Sequence, residues 1–139
     1  MRTTVVVALA VAALVLGLAC NDDDDTAPDL VAPVAIHDST WNYDDALLSG
    51  ALVEEDGCLV VVAADHRILP AFPDDGVIWD PPSHVLTVKG VQFRPGTEVH
   101  LGGSQSSASR QLPADLHWVN APPDTCRYDT IWLAGPPSQ

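Results

Sequence analysis

The sequence predicts an all-β domain, a small barrel-like or sandwich fold of about seven short strands, set behind an N-terminal signal helix and a disordered acidic linker. Three observations predict it. From residue 50 onward the apolar, β-branched runs are short, turn formers recur roughly every 8 to 12 residues, and a sustained 3.6-residue period is missing. A domain of roughly 85 residues is too small for two packed sheets of long strands, and closure removes exposed strand edges, so the barrel is favoured.

The elements follow in chain order. Residues 5–19 hold only Val, Ala, Leu and Gly17, behind the charged start Met1-Arg2-Thr3-Thr4. These 15 apolar positions fall short of the span of about 20 that a bilayer requires, and the run stops at Cys20 against Asp22, Asp23, Asp24 and Asp25. Residues 1–19 therefore read as a signal peptide, with an uncleaved anchor as the alternative. Residues 20–36 join the aspartate block to Pro28 and Pro33. Such a composition buries too little apolar surface to fold, and it reads as an extended tether spacing the domain about 20–50 Å from a bilayer. The aspartates lack the alternating ligands and glycine of a calcium loop. Residues 37–49 read as a short lead-in of one or two helical turns, with Asp38, Ser39 and Thr40 as caps and Trp41, Ala46, Leu47 and Leu48 on one apolar face.

The compact β domain spans residues 50–133. Its strongest strand is Cys58-Leu59-Val60-Val61-Val62-Ala63-Ala64, partnered by Ala51-Leu52-Val53 across the turn Glu54-Glu55-Asp56-Gly57. Further runs cover 67–72, 76–79, 84–89 turning at Gly90 into 91–93, 98–101, 116–120 and 129–133. Pro70 marks an edge or a bulge in the first of these. Residues 102–110 read as a flexible segment, and 134–139 as a disordered tail.

Leu16-Gly17-Leu18-Ala19-Cys20 resembles the lipobox of bacterial lipoproteins, in which small residues precede a cysteine that receives a diacylglycerol and becomes the new N-terminus; Gly17 stands where that pattern has leucine. The resemblance implies lipid attachment at Cys20, and two acyl chains, at about 0.8 kcal/mol per buried methylene, anchor a protein stably where one does not. The chain has three cysteines. With Cys20 given to lipid, Cys58 and Cys126 are left as an even pair in an oxidising compartment, where a disulfide is the default. The alternative, a reactive thiol pair, lacks Cys-x-x-Cys spacing, although Arg127 sits beside Cys126.

The formal charge is −13, and removal of residues 1–19 takes away Arg2 while keeping all 19 acids, giving −14. That density repels nucleic acid and anionic lipid, so no nucleic-acid partner is expected. Catalytic motifs are not found. Gly102-Gly103-Ser104-Gln105-Ser106 lacks the second glycine of a nucleophile elbow and reads as a turn, and the lone Lys89 has no evident partner. His37, His66, His84, His100 and His117 are too widely spaced for a structural metal site and read as scattered surface residues. Asp44-Asp45 and Asp74-Asp75 read as solvated turns. Neither metal nor cofactor is expected. Trp41, Tyr43, Trp79, Trp118 and Trp132 lie among carboxylates, a mixture that stacks a sugar or cradles a cation. Trp79, Trp118 and Trp132 fall in β runs and read as core; Trp41 and Tyr43 are the freer candidates.

Taken together, Gly57-Cys58-Leu59, Leu69-Pro70-Ala71-Phe72-Pro73, Trp79, Gly90-Val91-Gln92-Phe93, Gly96, Val99-His100-Leu101-Gly102-Gly103, Leu112-Pro113, Cys126 and Ile131-Trp132-Leu133 resemble a class of short bacterial lipoproteins and secreted proteins of unknown function. The resemblance covers roughly residues 50 to 133 and implies an envelope address but no activity. The expected function is a membrane-anchored, extracytoplasmic, non-enzymatic binding or structural module whose partner is an envelope protein, a glycan or a small ligand. The alternative is an extracytoplasmic hydrolase or metal-dependent enzyme whose site forms only in three dimensions.

Overall fold

The computed structural model describes residues 32–39 and 44–137, and every regular element in them is a strand. The strands are β1 (Ala35–His37), β2 (Ala46–Glu55), β3 (Cys58–Ala63), β4 (His66–Pro73), β5 (Val77–Asp80), β6 (Val85–Val88), β7 (Val91–Phe93), β8 (Glu98–Gln105), β9 (Trp118–Asn120) and β10 (Thr130–Ala134). Tight turns set their register. Glu55 faces Cys58 across Asp56-Gly57, both at positive φ (51° and 81°), which gives a two-residue turn whose twist matches the flanking strands. Val88 faces Val91 across Lys89-Gly90 in the same way (48° and 84°), and Ala63 faces His66 across Ala64-Asp65.

Five strands close into a barrel in the order β10-β8-β2-β3-β4, with β4 returning to β10 through a parallel ladder. The long β2 serves two neighbours in succession: residues 46–51 pair with β8 and residues 51–55 with β3. Beyond the closed ring, β1 adds in parallel to the end of β4, and β9 adds antiparallel to β1. A separate three-stranded sheet, β5-β6-β7, completes the fold.

Side-chain alternation divides the core in two. Leu48, Leu52, Leu59, Val61, Phe72, Val99, Leu101, Trp132 and Ala134, drawn from all five barrel strands, form one cluster that also takes Leu86 and Val88 of the small sheet. The opposite faces of β3, β4 and β10 carry Cys58, Val60, Leu69, Ala71, Ile131 and Leu133 into a second cluster, covered by Leu112, Leu116, Trp118, Cys126 and Tyr128. Strands buried on both faces read as unbroken apolar runs, which is why Cys58-Leu59-Val60-Val61 stands out so clearly in the sequence. The Cys58–Cys126 disulfide, with Cα atoms 5.7 Å apart, pins the covering segment to β3.

Several sequence expectations are corrected. The fold has ten strands among the described residues, where about seven were expected. The described residues of the lead-in, 37–39 and 44–49, are not helical: Ala46, Leu47 and Leu48 belong to β2, and their period is two, with Leu47 62% exposed beside Leu48 at 6%. The boundary at residue 50 falls inside that strand. Gly50 is a close-approach position, because a Cβ there would lie 2.5 Å from the Val62 carbonyl oxygen. The acidic linker, drawn to residue 36, ends earlier; Val34 and Ala35 are buried and β1 is laddered to Ala71, Phe72 and Pro73. Residues 102–105 are strand and not a flexible turn, and Ala134, assigned to the tail, is buried in β10. Pro70 sits in a closed-barrel strand, where its missing N–H falls between the end of the β3 ladder at Ile68 and the start of the β1 ladder at Ala71. Among the described residues no helix is long and apolar enough to cross a membrane.

Candidate functional site

A cleft of about 330 Å³ opens where the barrel meets the small sheet, lined by Ala32, Pro33, Glu54, Gly57, Trp79, Pro81 and His84. Its residues come from five places. Glu54 stands near the end of β2 and Gly57 in the turn that follows; Trp79 lies on β5, and Pro81 and His84 on the loop from β5 to β6. Ala32 and Pro33 precede β1. That last wall is fixed from two sides: Leu59 N–H donates to the Pro33 carbonyl (2.7 Å), and Asn120 Nδ2 donates to the Ala32 and Val34 carbonyls (2.9 and 2.7 Å).

The polar centre of the cleft is a Glu54–His84 pair, His84 Nδ1 lying 2.6 Å from Glu54 Oε2. His84 reaches it from a left-handed backbone conformation (φ 51°), uncommon for a residue with a Cβ. The preceding turn is braced by a hydrogen bond from Ser83 Oγ to Asp80 Oδ2. The Trp79 ring meets the imidazole edge-on, with centroids 5.9 Å apart and planes at 90°. Glu54 and His84 are 30 residues apart, and nothing in the sequence marks them as a pair. Trp79, read as core, has two environments: it packs on the first core cluster and also lines the cleft.

A second, more open cleft of about 440 Å³ is lined by Ala63, His66, Ile68, Gln105, Ser109, Asp129 and Thr130. It brings a serine, a histidine and an aspartate together without organising them. His66 Nδ1 is 3.9 Å from Asp129 Oδ2, beyond hydrogen-bond range, and both side chains are more than half exposed. Asp129 Oδ2 instead accepts from the Arg67 backbone N–H at 2.9 Å.

The remaining sequence candidates are distributed over the molecule. Cys20, the expected lipid site, and Trp41 and Tyr43 lie outside the described residues. Cys58 and Cys126 are joined. Trp132 is core and donates Nε1–H to the Gly102 carbonyl. Lys89 pairs with Asp75, so neither is an unattached surface charge. No group of three or more potential metal-ligating side chains is found among the described residues. Comparisons with protein-family models, curated proteins and solved structures return no match.

One histidine departs from the expected surface location. His37, in β1, is fully buried, and burial pushes its imidazole below the ordinary value of 6.5 against the opposing pull of Asp38 and Asp74. A depressed value means that the unfolded chain binds the proton more readily, so stability is full above pH 6.5 and is lost as pH falls below it. Asp38, held down chiefly by the His117 backbone N–H, adds the same sign only under more acidic conditions, below its ordinary 3.8. Thermal melts from pH 8 to pH 5 are expected to show a falling midpoint, and His37→Leu is expected to flatten that dependence. An unchanged slope in the variant would assign the effect elsewhere.

Proposed function

We propose that the chain is a lipid-anchored, extracytoplasmic binding module without catalytic activity, and that the Trp79–His84–Glu54 cleft is its ligand seat. The observation that carries this reading is the cleft itself, which combines an aromatic wall, two prolines and a single hydrogen-bonded carboxylate–imidazole pair. A concave, mostly apolar site with few convergent polar groups is the usual form of a small-ligand pocket. The signal-like residues 1–19 and the lipobox-like Leu16-Gly17-Leu18-Ala19-Cys20 support attachment at Cys20, and the resemblance over residues 50–133 supports an envelope address on the outer side of a cell membrane.

The hydrolase reading has one observation in its favour, the grouping of Ser109, His66 and Asp129 along the second cleft. Its imidazole is not oriented by the carboxylate, which is what a general base of that type requires.

Two measurements test the proposal. Mass spectrometry of a membrane fraction is expected to show a diacylglycerol-modified Cys20 peptide; an unmodified Cys20 on a released product would remove the anchor. In ¹H–¹⁵N spectra, a mixed set of sugars, amines, carboxylates and short peptides is expected to shift the Trp79 indole, Gly57 and the His84 backbone. Shifts confined to the second cleft, or none at all, would remove the seat.

A further inference from the structure

The geometry points to a primary ammonium carried on an apolar body, such as an alkyl- or aralkylammonium ion, as the ligand of the Glu54–His84 cleft; this rests on the cleft being a ligand seat. The inference starts from hydrogen-bond polarity. Glu54 Oε2 can only accept when the carboxylate is ionised, so the 2.6 Å contact requires His84 Nδ1 to donate. Glu54 keeps its second oxygen as an acceptor. That second carboxylate oxygen offers a visitor an acceptor, which selects a ligand that donates, and an ammonium has three donors.

Charge and shape act in the same direction. The Glu54 side chain is only 28% exposed, so its charge acts in a less screened setting than a surface carboxylate, and the whole chain carries −13. Both features disfavour an anion. The rest of the lining, Trp79, Pro33, Pro81 and Ala32, is apolar, with the indole available to a cation or to an adjoining hydrocarbon. A sugar would bring hydroxyl groups on most of its carbons to a wall that satisfies few of them, at a desolvation cost for each one left unpaired. A volume of about 330 Å³ suits a ligand of small-molecule size.

The test titrates the detergent-purified full chain with 2-phenylethylammonium, neutral 2-phenylethanol, phenylacetate and methyl glucoside, following the Gly57 and His84 backbone signals in every variant and the Trp79 indole where it is present. Wild type is expected to bind the ammonium ion at least tenfold more tightly than the alcohol. Glu54→Gln is expected to bring the two within about twofold of each other, and Trp79→Ala to weaken both. Equal affinity for ammonium and alcohol in the wild type overturns the inference even if Glu54→Gln does not fold. Preferred binding of the glucoside or of phenylacetate at the same signals overturns the ligand class while leaving the seat in place. Absence of any shift with these four probes and with the mixed set overturns both.

Discussion

Replacing both Cys58 and Cys126 with alanine is expected to lower the unfolding midpoint by roughly 15–30 °C. The bridge joins residues 68 apart, so it closes about two thirds of the described residues into one loop. Chain-entropy arithmetic for a loop of that size gives roughly 4 kcal/mol, and in a domain near 100 residues each kcal/mol moves the midpoint by about 4–8 °C. The location of the bridge adds to its effect. Cys58 and Cys126 are both buried in the second core cluster, and the segment that covers this cluster has no strand pairing of its own between Asn120 and Thr130. What else ties it to the β2–β3 turn is the Thr125 hydroxyl donating to the Asp56 carbonyl at 2.7 Å. Calorimetry of the double variant beside the oxidised wild type measures the loss. A drop under 5 °C would mean that Leu112, Leu116 and Tyr128 hold the cover in place by packing alone.

The β class, the first hairpin and the paired cysteines were legible because each depends on local chemistry. Asp56-Gly57 sits between Ala51-Leu52-Val53 and the valine-rich β3 and fixes a two-residue turn, and Cys58-Leu59-Val60-Val61 is apolar on consecutive positions because both of its faces are covered. The elements misread are those whose conformation is imposed by distant partners. Ala46, Leu47 and Leu48 carry no β-branched residue and become strand only by pairing with Gly103, Gly102 and Leu101. Val34 and Ala35 follow an acidic, proline-containing stretch and are recruited by the end of β4. The segregation of β5, β6 and β7 into their own sheet leaves no trace in the sequence, since each strand looks like its barrel counterparts.

The candidate site was less legible than the fold. Trp79 was visible as an aromatic among acids, but its partners are set by the seam between two sheets. Glu54 reads as one acid in an acidic turn, and His84 as one of five scattered histidines. Their 2.6 Å contact exists because the end of β2 passes the β5–β6 loop, and that loop bends sharply enough to place His84 at positive φ. A pair made by loop geometry across 30 residues has no spacing rule by which it could be found.

The other large effect is expected at barrel closure. Gly103 on β8 pairs with Ala134 of β10 on one side and Ala46 of β2 on the other, so it lies at the crossing of two ladders that complete the ring. Its φ of +145° is a conformation that side-chain-bearing residues rarely adopt. A Cβ there would stand 2.1 Å from the Leu133 carbonyl oxygen and 2.8 Å from Trp132 Nε1. Backbone, not a flexible side-chain end, is what it meets first, so relief requires β10 to move away from β8. Gly103→Ala is therefore expected to cost roughly 3–5 kcal/mol, combining backbone strain with overpacking. Gly102→Ala is the matched control, because its Cβ would find only the Pro136 carbonyl oxygen at 3.8 Å, an ordinary contact. Urea unfolding of the two variants should separate them by several kcal/mol although they are adjacent in one strand. Equal, small losses would show that β8 and β10 can part locally at little cost, and that closure is held elsewhere, by the parallel β4–β10 ladder and the buried Trp132.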